Sequence, residues 1–157
     1  MSNTLVAYFS ASGVTGSVAR ALSSALKADL YEIVPAVRYS DADLDWRNAN
    51  SRSSLEMKDK SSRPEIIDAP VNIADYDTIL VGFPIWWYVA PTIVNTFLEK
   101  HDFSGKKIIL FATSGGSDFG RTVESLQRSV PGAIIEEGML QRGKQDMDAW
   151  TSWAKGL

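Results

Sequence analysis

The chain has 157 residues, 45% hydrophobic and 22% charged, enough to bury a substantial core, and one domain over residues 1–157 is expected. A formal charge of −3 offers no basic face for nucleic acid, and zero cysteines with a single histidine, His101, exclude disulfide frameworks and thiolate chemistry and leave almost no ligands for a metal. No basic leader precedes the first apolar run and no stretch approaches the ~20 apolar residues of a membrane helix, so a cytoplasmic location without membrane insertion is expected.

The first strand-like run, residues 5–9, leads directly into Ser10-Ala11-Ser12-Gly13-Val14-Thr15-Gly16 and then into a helical pattern. In that helix Val14, Val18, Leu22 and Leu26 recur every four residues and form one buried stripe, while Arg20 and Lys27 stay in water. A glycine-bearing turn at a helix start gathers free backbone N–H groups, and Ser10, Ser12, Thr15 and Ser17 add hydroxyls, which is the layout of a phosphate-holding loop. An ordinary helix cap needs one hydroxyl and no glycine. Arg20 is the one basic residue nearby, and no Gly-x-x-x-x-Gly-Lys-[Ser/Thr] occurs, so the loop suits the phosphate of a cofactor that stays bound rather than a transferring phosphoryl group.

A second strand pattern covers residues 30–34. Residues 38–70 are polar and longer than a simple βαβ crossover requires, and they read as one helix plus loop with Arg47, Arg52, Glu56, Lys58, Asp59 and Arg63 on a solvated face. Trp46 in such polar company either anchors the segment on the core or borders a ligand site. The strand at residues 78–83 is followed by Pro84-Ile85-Trp86-Trp87-Tyr88-Val89-Ala90-Pro91, three consecutive rings between two prolines. Pro91 suits the first turn of a helix that buries Ile93, Val94, Phe97 and Leu98, and His101 beyond its end reads as a surface residue facing the helix dipole, without catalytic role. A strand at residues 108–112 runs into Thr113-Ser114-Gly115-Gly116-Ser117-Asp118-Phe119-Gly120. Val123, Leu126 and Val130 mark a fourth helix, residues 133–135 a last strand, and Met147, Trp150 and Ala154 a last helix. Strands this apolar, alternating with helices, predict an α/β fold around a parallel sheet buried on both faces.

Ligands of an open parallel sheet sit outside the carboxyl ends of its strands, so the three loops after the first, third and fourth strands would share one rim. Phosphate donors, flat rings and a backbone-rich polar loop together suit a planar heteroaromatic ligand with a phosphate tail. Trp86 and Trp87 read either as core filler or as rings lining that ligand.

These residues carry a resemblance. Ser10-x-Ser12-Gly13-x-Thr15, Gly82-Phe83-Pro84-Ile85-Trp86-Trp87 and Thr113-Ser114-Gly115-Gly116, in this order at strand ends, resemble the flavodoxin family, and more narrowly those flavodoxin-like proteins whose second loop carries Pro-Ile-Trp-Trp. The resemblance implies a three-layer α/β/α sandwich with a five-stranded parallel sheet in the order 2-1-3-4-5, non-covalent FMN, no metal and no catalytic side chain. By position it implies that Ser10, Ser12, Gly13, Val14 and Thr15 surround the FMN phosphate. Pro84, Ile85, Trp86, Trp87 and Tyr88 would flank the isoalloxazine, with the stacking ring left open among Trp86, Trp87 and Tyr88. Thr113, Ser114, Gly115 and Gly116 would reach the polar edge of the ring, and Asp118 or Phe119 would close its other side.

Two functions follow from the resemblance. One is a low-potential electron shuttle serving a redox partner protein or small electron acceptor, with Asp118 as the carboxylate that shifts the potential. The alternative is an NAD(P)H-dependent FMN reductase of quinones or other small molecules, with Arg47 or Arg52 meeting a nucleotide phosphate. No Gly-x-Gly-x-x-Gly is present, which favours the shuttle. A binding module that has lost the cofactor is a third reading, opposed by the intact hydroxyls and tandem tryptophans. The mild charge and the long segment 38–70 depart from the acidic electron carriers of the family, and the aromatic rim would serve partner docking or a homodimer equally.

Overall fold

The apolar runs pair side by side as parallel strands because each is followed by a helix that returns the chain to the same end of the sheet. The computed structural model describes residues 3–157. In chain order it holds β1 (Thr4–Tyr8), α1 (Val14–Leu26), β2 (Asp29–Glu32), α2 (Arg52–Lys58), β3 (Thr78–Pro84), α3 (Thr92–Glu99), β4 (Lys107–Ser114), α4 (Thr122–Gln127), β5 (Ile134–Arg142) and α5 (Met147–Lys155). The sheet order is β2-β1-β3-β4-β5, with every neighbouring pair parallel. The chain moves outward one way from β1 to β2 and the other way from β1 to β3, so the carboxyl ends of β1 and β3 form the switch point where such sheets open a crevice.

Alternation along the strands divides the core. Val6, Tyr8, Leu80, Ile109 and Phe111 face α1 and α5, where they meet Val18, Leu22, Trp150 and Ala154. Leu5, Ala7, Ile79, Val81, Ile108 and Leu110 belong to the opposite layer with Val94, Phe97 and Leu126 of α3 and α4. The expected three-layer α/β/α sandwich is therefore present, in the expected strand order. No described helix is long and apolar enough to cross a membrane.

Some local expectations differ. β5 extends through Arg142, far beyond the apolar residues 133–135, because it is an edge strand whose largely exposed Glu136, Glu137 and Arg142 obscure any apolar signal. Only the three inner strands, β1, β3 and β4, approach the apolar continuity the sequence suggested, and β2 at the other edge is also half open. Val14 and Met147, placed on buried stripes by their spacing, are exposed at the first residue of α1 and α5. Pro91 caps α3 from just outside its first turn. His101 is not a free surface residue: its ring packs on Phe97 and Phe103 at 5.2 and 6.3 Å, and burial lowers its pKa, favouring the neutral imidazole.

The β2 edge is fastened by Tyr76, whose hydroxyl donates to Asp29 Oδ2 at 2.7 Å. That bond to a carboxylate stabilises the neutral phenol and, with a smaller contribution from burial, pushes its pKa up to about 12. The unfolded phenol ionises near pH ~10, so this contribution is complete below pH ~10 and disappears as the pH rises through the folded value. Tyr76→Phe should therefore lower the urea midpoint at pH 8 but leave a smaller further loss between pH 10 and about 12 than the parent protein shows.

Candidate functional site

The loop after β1 is built on Gly13, which caps α1 with a left-handed backbone at φ 94° that a side chain would strain. This bend turns the chain so that Gly13 N and Gly16 N both donate to Ser10 Oγ, at 3.1 and 3.0 Å. Two backbone N–H groups thus converge on one oxygen at the helix start. Ser12, Gly13 and Val14 are exposed around that point. Thr15 is buried and hydrogen-bonds through Oγ1 to Thr113 Oγ1 at 2.8 Å, tying the first loop to the end of β4. Ser17 Oγ donates to Gly13 O at 3.1 Å, and Arg20 Nη2 donates to Ser17 Oγ at 3.4 Å. The hydroxyls of Ser10, Thr15 and Ser17 therefore brace the loop from within, and Ser12 is exposed at its tip.

The loop after β3 closes as a two-residue turn. Trp86 N donates to Val89 O at 3.0 Å and Val89 N returns to Trp86 O at 3.2 Å. Trp87 and Tyr88 between them have φ 50° and 66°, the left-handed pair of a type I′ turn that normally takes Asn-Gly. Two bulky residues in this conformation store about 1–2 kcal/mol each. The turn separates the three rings. Trp86 points inward, edge-on to Phe9 at 5.8 Å and to Tyr39 at 5.5 Å, whereas Trp87 is 44% and Tyr88 62% exposed. Pro84 ends β3 and is half-buried; Ile85 is buried and donates its N–H to Thr113 O at 2.9 Å.

The loop after β4 begins with buried Thr113 and Ser114. Ser114 Oγ accepts from Gly116 N at 3.1 Å and shares a hydrogen bond with Ser117 Oγ at 3.2 Å. Gly115 and Gly116 are exposed, so the turn presents bare backbone to the rim. Asp118 is exposed, and its Oδ1 accepts from Gly120 N at 2.9 Å. Phe119, a candidate to cover the ligand, instead packs into the α3/α4 core. Arg121 N donates to Tyr88 O at 3.2 Å, which fastens the third loop to the second. Gly120 makes that approach feasible: its φ is 52°, and a Cβ there would lie 2.3 Å from Tyr88 O. Gly120→Ala should lower unfolding stability by about 2–3 kcal/mol, measured as a fall in the urea midpoint, because the strained φ and the contact with backbone cannot both be relieved locally.

The segment between β2 and β3 is anchored by a residue that its sequence did not single out. Tyr39 packs on Phe9 at 5.6 Å and on Trp86, and its hydroxyl donates to Glu56 Oε1. Arg52 lies 3.8 Å over the Tyr39 ring, binds Glu56 Oε2 at 3.0 Å and donates to Val37 O at 2.6 Å. Burial, reinforced by the Glu56 carboxylate, raises the Tyr39 pKa far above the usual phenol range. Arg52 is thereby committed to the segment's own structure. Trp46 does not anchor on the core: it is 66% exposed, with the Arg47 guanidinium 5.3 Å from its ring centroid.

The three loops thus lie at one end of the sheet, joined by Thr15 to Thr113, Ile85 to Thr113 and Tyr88 to Arg121. The sequence matches the family described as Flavodoxin over residues 3–157. Two crystal structures of candidate flavoproteins are similar along nearly the whole chain. One, from Bacteroides eggerthii, is 46% identical with a TM-score of 0.89, over 99% of this chain and 98% of that one. The other, from Bacteroides uniformis, is 46% identical with a TM-score of 0.90, over 98% of each. A flavoprotein of Lactobacillus acidophilus, solved in complex with FMN, shares the fold at 23% identity and a TM-score of 0.69, over 96% of this chain and 99% of that one. A stretch of 56 residues is 29% identical to the uncharacterised NAD(P)H oxidoreductase YcaK of Escherichia coli; it covers 36% of this chain and only 24% of that relative's length.

Proposed function

This chain belongs to the flavodoxin family, and on that premise we propose that it binds FMN without a covalent bond and serves low-potential electron transfer as a single domain. The observation that carries the reading is the convergence of a phosphate-type loop with two exposed rings, Trp87 and Tyr88, on hydrogen-bonded loops at the sheet's switch point.

The residues present fit the cofactor. Gly13 N and Gly16 N already converge on an oxygen, that of Ser10, as they would on a phosphate oxygen. When bound, FMN supplies reversible uptake of one or two electrons. Ser10, Ser12, Gly13 and Val14 would hold its phosphate through hydroxyls and backbone N–H groups, with Thr15 fixing the loop from beneath. The Pro84-Ile85-Trp86-Trp87 run serves as a platform in which Trp86 is the foundation and Trp87 and Tyr88 offer ring faces. Thr113, Ser114, Gly115 and Gly116 would meet the polar edge of the flavin. A redox partner protein or small electron acceptor approaches over the same rim.

Asp118 would act through its charge on the reduced, anionic flavin. Asp118→Asn keeps the Oδ1 acceptor used by Gly120 N, so the turn survives and the negative charge goes. The midpoint potential should rise by on the order of tens of mV. An unchanged midpoint would remove Asp118 from this role.

A reductase working on NAD(P)H and a small acceptor is the second reading, favoured by the stretch similar to an NAD(P)H oxidoreductase and by the exposed Arg47. Stepwise reduction of the FMN-loaded protein separates the two. Two resolved one-electron stages support the shuttle, whereas a single two-electron stage with rapid NADPH oxidation in the presence of a quinone supports the reductase.

A further inference from the structure

We propose that the cleft between Trp46 and Trp87 binds a planar aromatic anion, such as an aromatic carboxylate, beside the flavin site. The cleft has a volume of about 310 Å³, near the lower end of small-molecule sites and suited to one or two fused rings. Its walls include the two exposed indoles, 66% and 44% open, with Met57 and Lys58 of α2 and Arg47.

Trp46 is not exposed through fraying. Its turn is held by Leu44 N to Ser40 O at 3.1 Å, Ser53 N to Asp43 O at 2.9 Å and Lys58 Nζ to Ala49 O at 3.0 Å. An indole presented on a fixed turn gains ring contact only from a partner that enters the cleft. The charge of that partner follows from the cations. Among the described residues, neither the Arg47 guanidinium nor the Lys58 ammonium has a carboxylate within 4.0 Å, although Asp45 Oδ1 accepts from Arg47 N at 3.1 Å and Arg52, at the other end of α2 from Lys58, is paired with Glu56. Two cationic side chains outside any ion pair, on a chain of net charge −3, favour an anion locally. The Arg47 guanidinium over Trp46 already places a cation at the edge of a stacking surface.

Trp87 is shared with the loop assigned to FMN, so the ligand's role as electron donor or acceptor rests on the proposed function, while its binding does not. The test is calorimetric titration of 2-naphthoate into the protein with and without FMN, with 2-naphthalenemethanol as the neutral isostere. Binding of one naphthoate per chain, at least tenfold tighter than the alcohol and unchanged in the presence of FMN, is expected. Trp46→Ala should weaken naphthoate at least tenfold, and Arg47→Gln, which leaves the Lys58 bond to Ala49 O in place, should cut its advantage over the alcohol at least threefold, both with parental FMN affinity. Absence of binding, indifference to Trp46→Ala, or displacement of naphthoate by FMN would overturn the assignment. Loss of FMN binding with naphthoate binding intact would instead strike the flavin reading alone.

Discussion

Replacing Trp87 and Tyr88 together by alanine should weaken FMN binding roughly 30- to 150-fold, a loss of about 2–3 kcal/mol, with little change in the stability of the fold. Both rings are exposed on a two-residue turn, so their removal leaves no cavity in the core. Alanine also keeps a Cβ at the left-handed positions, φ 50° and 66°, and hence keeps the backbone strain, so the change in affinity reports the rings and not a relaxed turn. Glycine at the same positions provides the complementary control: it should bind FMN as poorly while raising stability, because the strain of about 1–2 kcal/mol per residue is released. Trp86 behaves oppositely. Its ring is wedged between Phe9 and Tyr39, and Trp86→Ala should cost stability first and flavin binding as a consequence. Quenching of FMN fluorescence and urea midpoints on the same samples separate the two effects.

Gly82→Ala should overpack the centre of the sheet with a single methyl. A Cβ on Gly82 would lie 2.1 Å from the Phe111 ring, which covers the bare backbone of β3 from β4. The ring has nowhere to move. It packs edge-on against Trp150 at 6.0 Å, and Trp150 and Ala154 behind it are fully buried. Overpacking of this kind costs about 1–3 kcal/mol, and an immovable ring places this site at the upper end. The second-site change Phe111→Leu should recover part of the loss in the double variant, because a smaller side chain leaves room for the new methyl. Simple addition of the two penalties in a double-mutant cycle would mean that the clash is relieved elsewhere.

The inner strands and helices were legible because burial on both faces leaves continuous apolar runs and clear helical stripes. β5 was legible only at its start, since an edge strand with largely exposed Glu136, Glu137 and Arg142 carries no such run. The phosphate-type loop could be read from Gly13 and its hydroxyls, yet the division of labour among those hydroxyls depends on a contact 98 residues away, Thr15 with Thr113. The tandem tryptophans were visible as a pair, but which ring faces solvent is decided by a type I′ turn whose residues, Trp87 and Tyr88, are poor formers of it. Tyr39 gave no signal in its polar segment, because its importance lies in meeting Phe9, Trp86, Arg52 and Glu56 from three other parts of the chain. Trp46 attracted attention for its size, and the fold leaves it in the open.

The claim on which the functional account stands is tested most directly by titrating the FMN-free protein into FMN and following flavin fluorescence. Quenching that saturates at one FMN per chain, with a Kd of about 1 μM or tighter, is expected. Fluorescence that stays at the level of free FMN with the folded protein at about 100 μM would contradict it.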